Sequence, residues 1–223
     1  RQMCIRDRII IILCIIKKMK VWDYLLWNYF CYKILLFRNN KKKKLEMYNL
    51  VNEFLKNIND KNYKNCFKKF WKENDFMSIN TKKQLIQFMQ SLRKCLLKNV
   101  SGLVFPFSET LQEIQKQAKE RKITYKNPSL WGKNTWLLLH VICLDKKCKK
   151  KKLLLTMILN SLPCDICRKH ALEYVSTNPI RANHDYFFDF HNFVNDRLKK
   201  PKSSCPKKAI EKIKSNCKKL LVS

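Results

Sequence analysis

Apolar positions recur along much of the chain with the period of an α-helix. Leu50, Phe54 and Ile58 stand at i, i+4 and i+8, and Leu85, Phe88, Met89, Leu92 and Leu96 trace a second stripe. Thr81 precedes that second stripe as a cap. Residues 108–119 predict another helix with Glu109 at its early end, where a negative charge is stabilised. From Pro128 the pattern becomes a series of shorter apolar segments. One runs through His140 to Leu144. A basic turn at 146–152 leads into a second at 153–162, ended by Pro163. Cys164 opens a third that reaches about Ser176, with Asn178-Pro179 as its stop. A fourth spans about 185–199 before Pro201, and a short fifth covers about 206–220. Helices of this length joined by short loops describe a bundle. The expected fold is all-α: a four-helix bundle with a short fifth helix, preceded by an additional helical region.

The first 46 residues read differently. Residues 1–8 (RQMCIRDR) begin with Arg and resemble translated sequencing adapter, and the apolar octet 9–16 is too short to span a bilayer, which takes about 20 residues. No small-residue cleavage site follows it. Residues 21–37 continue apolar, with Trp, Tyr and Leu, but Asp23, Asn28 and Lys33 interrupt them, as in a segment that lies on a membrane. The lysine run 41–44 stands just upstream of Met47. The expected organisation is a doubtful segment at 1–46, either non-native or membrane-associating, a helical region of unassigned function at 47–126, and the chemistry at 127–223.

Composition narrows the function. A chain of 223 residues with 46% hydrophobic content can bury a core, so its formal charge of +31 sits on a foldable polypeptide. Only two glycines occur, Gly102 and Gly132. Glycine-rich dinucleotide or phosphate loops and the G-x-S-x-G nucleophile elbow are therefore excluded, and hairpin-rich β architectures are disfavoured. The basic residues are 39 Lys to 9 Arg, alongside 20 Asn. Lys and Asn both follow A-rich codons, and Arg, the residue suited to bidentate base and phosphate contacts, is sparse. Nucleic acid is accordingly not the expected partner. Eleven cysteines are many for a chain of this size.

The sharpest candidate chemistry is Cys164-Asp165-Ile166-Cys167, placed after Pro163 at a helix start. A helix N-terminus stabilises anions and so favours a reactive thiolate, and two cysteines three apart can close a readily reduced disulfide. The motif also serves zinc sites, and His170 extends it to C-x-x-C-x-x-H, with Cys143, Cys148 or Cys205 available as a fourth ligand. A thioredoxin arrangement would need strands around the motif, and the flanks here are helical. Two further clusters are unusual. His191-Asn192-Phe193-Val194-Asn195 places three polar side chains on one helical face, where Asn is a poor interior residue. Trp131-Gly132 is followed by Trp136 and His140, an aromatic and an imidazole on one stripe.

The ordered set W-G-x-x-x-W-x-x-x-H, P-C-x-x-C-x-x-H and H-N-x-V-N-x-x-L-x-K-P, on successive helices over about 128–205, resembles the Erv/ALR family of FAD-linked sulfhydryl oxidases. That family holds FAD inside a helical bundle without a glycine loop. The resemblance implies that Cys164 and Cys167 form the redox-active disulfide, with Cys167 facing the flavin and Cys164 exchanging with the incoming dithiol. It implies electron transfer from a protein dithiol through FAD to O2, giving hydrogen peroxide. It further implies cofactor contacts from Trp131, Gly132, Trp136, His140, Cys167, His170, His191, Asn192, Val194, Asn195 and Leu198, with Lys199 or Lys200 near the phosphates. A homodimer follows from the same resemblance, as does a dithiol substrate that could be a thioredoxin-like carrier.

Departures from the pattern are visible. Phe188 stands where many cellular members carry a cysteine bridged to the position of Cys205. No second C-x-x-C supplies a shuttle pair, leaving Cys143/Cys148, Cys205/Cys217 and Cys66/Cys95 as candidates. The Lys/Asn-rich composition and extra helical part resemble the versions of large DNA viruses, which would place the protein in the infected cytoplasm or virion. A cellular member would belong in the mitochondrial intermembrane space. The alternative reading is an inactive or zinc-clipped basic helical module that contacts nucleic acid or an anionic surface.

Overall fold

The computed structural model describes residues 21–58, 60–100, 105–146 and 148–202, with Glu211 and Ser215 isolated beyond them. The expected fifth helix therefore lies outside the described residues, apart from those two positions. All regular structure among the described residues is helical. Helix α1 covers 21–35. It is followed by α2 (Lys41–Asn57), α3 (Lys61–Glu73), a 3-10 turn (Phe76–Ser78), α4 (Lys82–Asn99) and α5 (Phe107–Glu120). Then come α6 (Pro128–Leu144), α7 (Lys151–Asn160), α8 (Asp165–Thr177) and α9 (His184–Arg197).

The helix starts are written in the sequence. A side-chain oxygen that accepts the orphan amides of the first turn fixes where a helix begins. Asn40 does this for α2, Asp60 for α3 and Asn183 for α9. Thr81 and Gln84 form a reciprocal capping box on α4. At α6, Asn127 caps and Pro128 supplies a first-turn residue with no amide to satisfy.

The core is built around α1. Trp22, Leu25, Leu26, Trp27, Phe30, Ile34 and Leu35 are buried in the protein's own interior. Among the described residues no helix is long and apolar enough to cross one. The boundary expected at residues 46/47 falls inside α2. The polar residues that interrupt α1 each find a distant partner. Arg93 on α4 grips Asp23 with two hydrogen bonds of 2.6 and 2.7 Å, and its guanidinium lies over the rings of Trp27 and Phe105. Tyr63 donates to Asp23 at 3.3 Å and accepts from Trp27 Nε1 at 3.0 Å. Asn28 accepts from Asn134 on α6 at 2.9 Å. A buried charge is tolerated only when it is paired and hydrogen-bonded, and Asp23 is both.

The same helix also reaches the C-terminal half. Tyr29 OH meets Ser161 at its carbonyl, 3.1 Å, and at its hydroxyl, 2.9 Å. Lys33 Nζ donates to the Ser161 carbonyl at 2.8 Å, and Tyr32 OH to the Leu130 carbonyl at 2.5 Å. Through these bonds α1 fixes both the start of α6 and the turn that presents Cys164.

Candidate active site

The site is carried by α6, α8 and α9, with α6 packed on α9 and α7 between α6 and α8 in the chain. Leu162-Pro163 ends the turn after α7, and Cys164 takes the N-cap position of α8. Its Sγ accepts the Cys167 amide at 3.1 Å, so a sulfur performs the capping role that an oxygen plays elsewhere in the chain. Cys164 and Cys167 are joined by a disulfide with their Cα atoms 5.1 Å apart. Both are half-buried, while Ile166 between them is 68% exposed.

Ion pairs brace this turn. Asp165 receives Lys126 Nζ and Arg168, each at 2.5 Å, and these two hydrogen bonds hold its carboxyl below the usual range. Arg168 also donates to the Leu162 carbonyl at 3.1 Å. Trp131 is buried, and its indole N–H donates to the carbonyl of Lys126 at 3.1 Å. Its hydrogen bond thus holds the residue that pairs with Asp165.

An aromatic wall stands across α6 and α9. The His191 ring lies flat on the Trp136 indole, centroids 4.1 Å apart and planes within 3°. Phe190 adds a tilted contact to Trp136 at 5.3 Å. His140, one turn beyond Trp136, is buried, and its Nε2 stands 3.4 Å from His191 Nδ1. Burial, then His191 and His184, push the His140 pKa down to about 3, so this imidazole is neutral at physiological pH. Its Nδ1 is buried with no hydrogen-bond partner among the described residues, as is Nε2 of His184, whose Nδ1 stands 3.9 Å from Asp185 Oδ1. His184 lies 5.3 Å from His140, centroid to centroid. Tyr174 on α8 touches Phe190 and Phe193 on α9, joining the helix of the disulfide to the helix of the wall.

The remaining sequence-derived positions spread around this frame. His170, Asn192, Val194 and Asn195 are half-buried. Leu198, Lys199 and Lys200 are exposed just past α9. Lys199 adopts a left-handed conformation, φ 52°, and Lys200 N–H donates to the Asn195 carbonyl at 2.8 Å, which closes the helix end. Gly132 is half-buried, and a side chain there would meet only Pro128 Cβ at 3.9 Å, ordinary contact, so packing within the chain does not demand a glycine.

These residues fit the FAD that the resemblance implies. A flat aromatic system suits Trp136 and His191, whose rings already lie parallel. The partnerless Nδ1 of His140 offers a hydrogen bond that the chain does not use. Gly132, one turn before Trp136, leaves the face open, and Lys199 and Lys200 supply cations suited to phosphates. Among the described residues no group of three or more His, Cys, Asp or Glu is placed to hold a metal ion.

Of the other candidate cysteines, Cys143 and Cys148 are buried, and burial pushes the Cys143 thiol up to about 12. Cys205 and Cys217 lie outside the described residues. Sequence reasoning missed His184, although it stands seven residues before His191 and hence on the same face, two turns away. It also missed Lys126, for which no local pattern exists, and Arg168, whose i, i+3 spacing from Asp165 was a readable signal.

A helical bundle that presents a disulfide at a helix start, one helix from an aromatic wall, defines a thiol–disulfide redox protein built to hold a flat cofactor. The Erv1/Alr family model matches residues 133–216. The FAD-linked sulfhydryl oxidase of African swine fever virus (isolate Pig/Kenya/KEN-50/1950) is 38% identical over 82 residues, covering 31% of this chain and 69% of that protein. The "Probable FAD-linked sulfhydryl oxidase" of vaccinia virus (strain Western Reserve) is 32% identical over 97 residues, covering 40% of this chain and 97% of that protein. No solved structure matches. The chain belongs to the Erv1/Alr family.

Proposed function

We propose that the protein is a flavin-linked thiol oxidase that makes disulfides in protein dithiols, with Cys164 and Cys167 as the redox pair and O2 as the final acceptor. The observation that carries this reading is the Cys164–Cys167 disulfide at the start of α8, on the helix that packs against the wall of α9. A substrate thiolate attacks Cys164, on the side where Ile166 is exposed, and the Cys164–Cys167 bond breaks with Cys167 leaving as a thiolate. The substrate's second thiol then attacks the mixed disulfide, and Cys164 leaves. Its charge forms where the Cys167 amide already points, 3.1 Å away at the positive end of the helix. The substrate leaves oxidised by two electrons, and the pair is left as a dithiol. A bound FAD would supply the acceptor for those two electrons and their route to O2, giving hydrogen peroxide.

Trp136, His140, His170 and His191 would hold the ring system, Asn192, Val194, Asn195 and Leu198 the adenosine side, and Lys199 and Lys200 the phosphates. Trp131 and Gly132 complete the α6 face. A homodimer and a thioredoxin-like dithiol carrier belong to the same reading. Oxygen uptake with a reduced, unfolded protein as substrate tests it: the account expects one hydrogen peroxide per disulfide formed. Disulfide formation without oxygen uptake, in the protein saturated with FAD, would overturn the assignment of O2 as acceptor.

A further inference from the structure

Away from the α6–α8–α9 site, two more sulfurs lie together. Cys66 on α3 and Cys95 on α4 meet where these helices pack. The amide nitrogen of Asn99 approaches both sulfurs, Cys66 at 3.7 Å and Cys95 at 3.8 Å. Burial first, and then the neighbouring Cys95 thiol, push the Cys66 thiol up. They open onto a cavity of about 480 Å³ whose polar lining includes Asn62, Lys69 and Glu73. Cys66 is buried and Cys95 half-exposed, so solvent and a second protein meet Cys95 first. The buried Cys143 and Cys148 offer no such approach. Phe67, Phe70, Leu92 and Leu96 are buried on the same two helices and hold the pair in place, so an oxidising sulfur has to be brought to it.

We propose that Cys66 and Cys95 are a second dithiol–disulfide couple, oxidised by the Cys164–Cys167 disulfide of another copy of the chain, so that the oxidase is one of its own substrates. This rests on the thiol-oxidase reading above. Cys95 attacks as the thiolate and forms a mixed disulfide, and the Cys164–Cys167 bond breaks. Cys66 then loses its proton and attacks the Cys95 sulfur, forming the Cys66–Cys95 bond and releasing the other copy's pair as a dithiol. Two thiols lose two electrons and two protons, and one disulfide gains them. Burial pushes the Cys66 thiol up to about 12, which suits the second, intramolecular attack and not the first. The product bond staples α3 to α4.

Alkylation followed by peptide mass mapping tests this on the full chain, reduced, freed of reductant and aerated with FAD. Dithiothreitol oxidation is recorded on the same sample. The account expects wild type to yield the Cys66–Cys95 linked peptide. The Cys164→Ser/Cys167→Ser double variant should keep both as alkylatable thiols over the same time, form the bond on adding diamide, and form it with a trace of wild type. A wild type that oxidises dithiothreitol yet leaves Cys66 and Cys95 alkylatable overturns the proposal alone. So does a double variant that closes the bond in air as fast as wild type, or a pair that diamide cannot link. Absence of dithiothreitol oxidation would instead overturn the thiol-oxidase reading, and self-oxidation with it.

Discussion

The imidazole of His191 lies flat against the indole of Trp136, 4.1 Å between centroids and 3° between planes, and through this contact α9 meets α6. Both residues stood out in the sequence as polar or aromatic side chains on otherwise apolar helices. Their parallel rings give the bundle a flat wall where an ordinary core would interdigitate branched side chains.

That wall predicts how FAD is retained. Trp136→Ala should weaken FAD binding by roughly two- to tenfold, since an aromatic pair is worth ~0.5–1.5 kcal/mol beyond its area. Trp136→Phe should keep most of the affinity. The ratio of flavin to protein absorbance after gel filtration reads the effect, and equal retention in the Ala variant would remove Trp136 from the site.

The two cysteines of the redox pair should separate binding from turnover. Cys167→Ser should abolish oxygen consumption with dithiothreitol while the flavin stays bound. Measurable turnover in that variant would show that Cys167 is not the residue through which the electrons leave the pair.

The central position of α1 predicts that a chain starting at residue 47 does not fold cooperatively. The deleted helix carries Trp22, Leu25, Trp27, Phe30 and Ile34 into the core, each contributing about 1.5–3 kcal/mol, against a total stability on the order of 5–15 kcal/mol. Arg93→Ala makes the same point with one residue. It should cost about 3–5 kcal/mol by urea denaturation, because it leaves Asp23 buried and unpaired. A sharp urea transition in the 47–223 fragment would contradict this account of the core.

His140 sets a pH dependence. Its folded pKa of about 3 lies below the unfolded value near 6.5, so the unfolded chain binds the extra proton first. Stability is then full above about pH 6.5 and falls as pH drops toward 3, by up to about 1.4 kcal/mol per pH unit. Between pH 7 and 5 the loss should be on the order of 2 kcal/mol, and His140→Asn should flatten it. Urea midpoints at the two pH values decide; an unchanged slope in the variant would assign the acid sensitivity elsewhere.

The helices were legible where local chemistry marks their ends. Thr81, Pro128, Pro163 and Asn178-Pro179 placed α4, α6, α7 and α8 to within a few residues. The redox pair and the Trp136–His140 stripe were legible because they are spacings along one helix. The role of α1 was not, because Asp23, Asn28 and Lys33 look like interruptions until Arg93, Asn134 and Ser161 arrive from 70, 106 and 128 residues away. Lys126 and Asp165 are hidden for the same reason, 39 residues apart in sequence and joined only by the fold.

The measurement closest to the central claim is the visible absorption spectrum of the purified full chain. The account predicts a bound-flavin spectrum that bleaches with dithiothreitol and recovers in air. A folded, colourless protein that stays colourless with added FAD would contradict it.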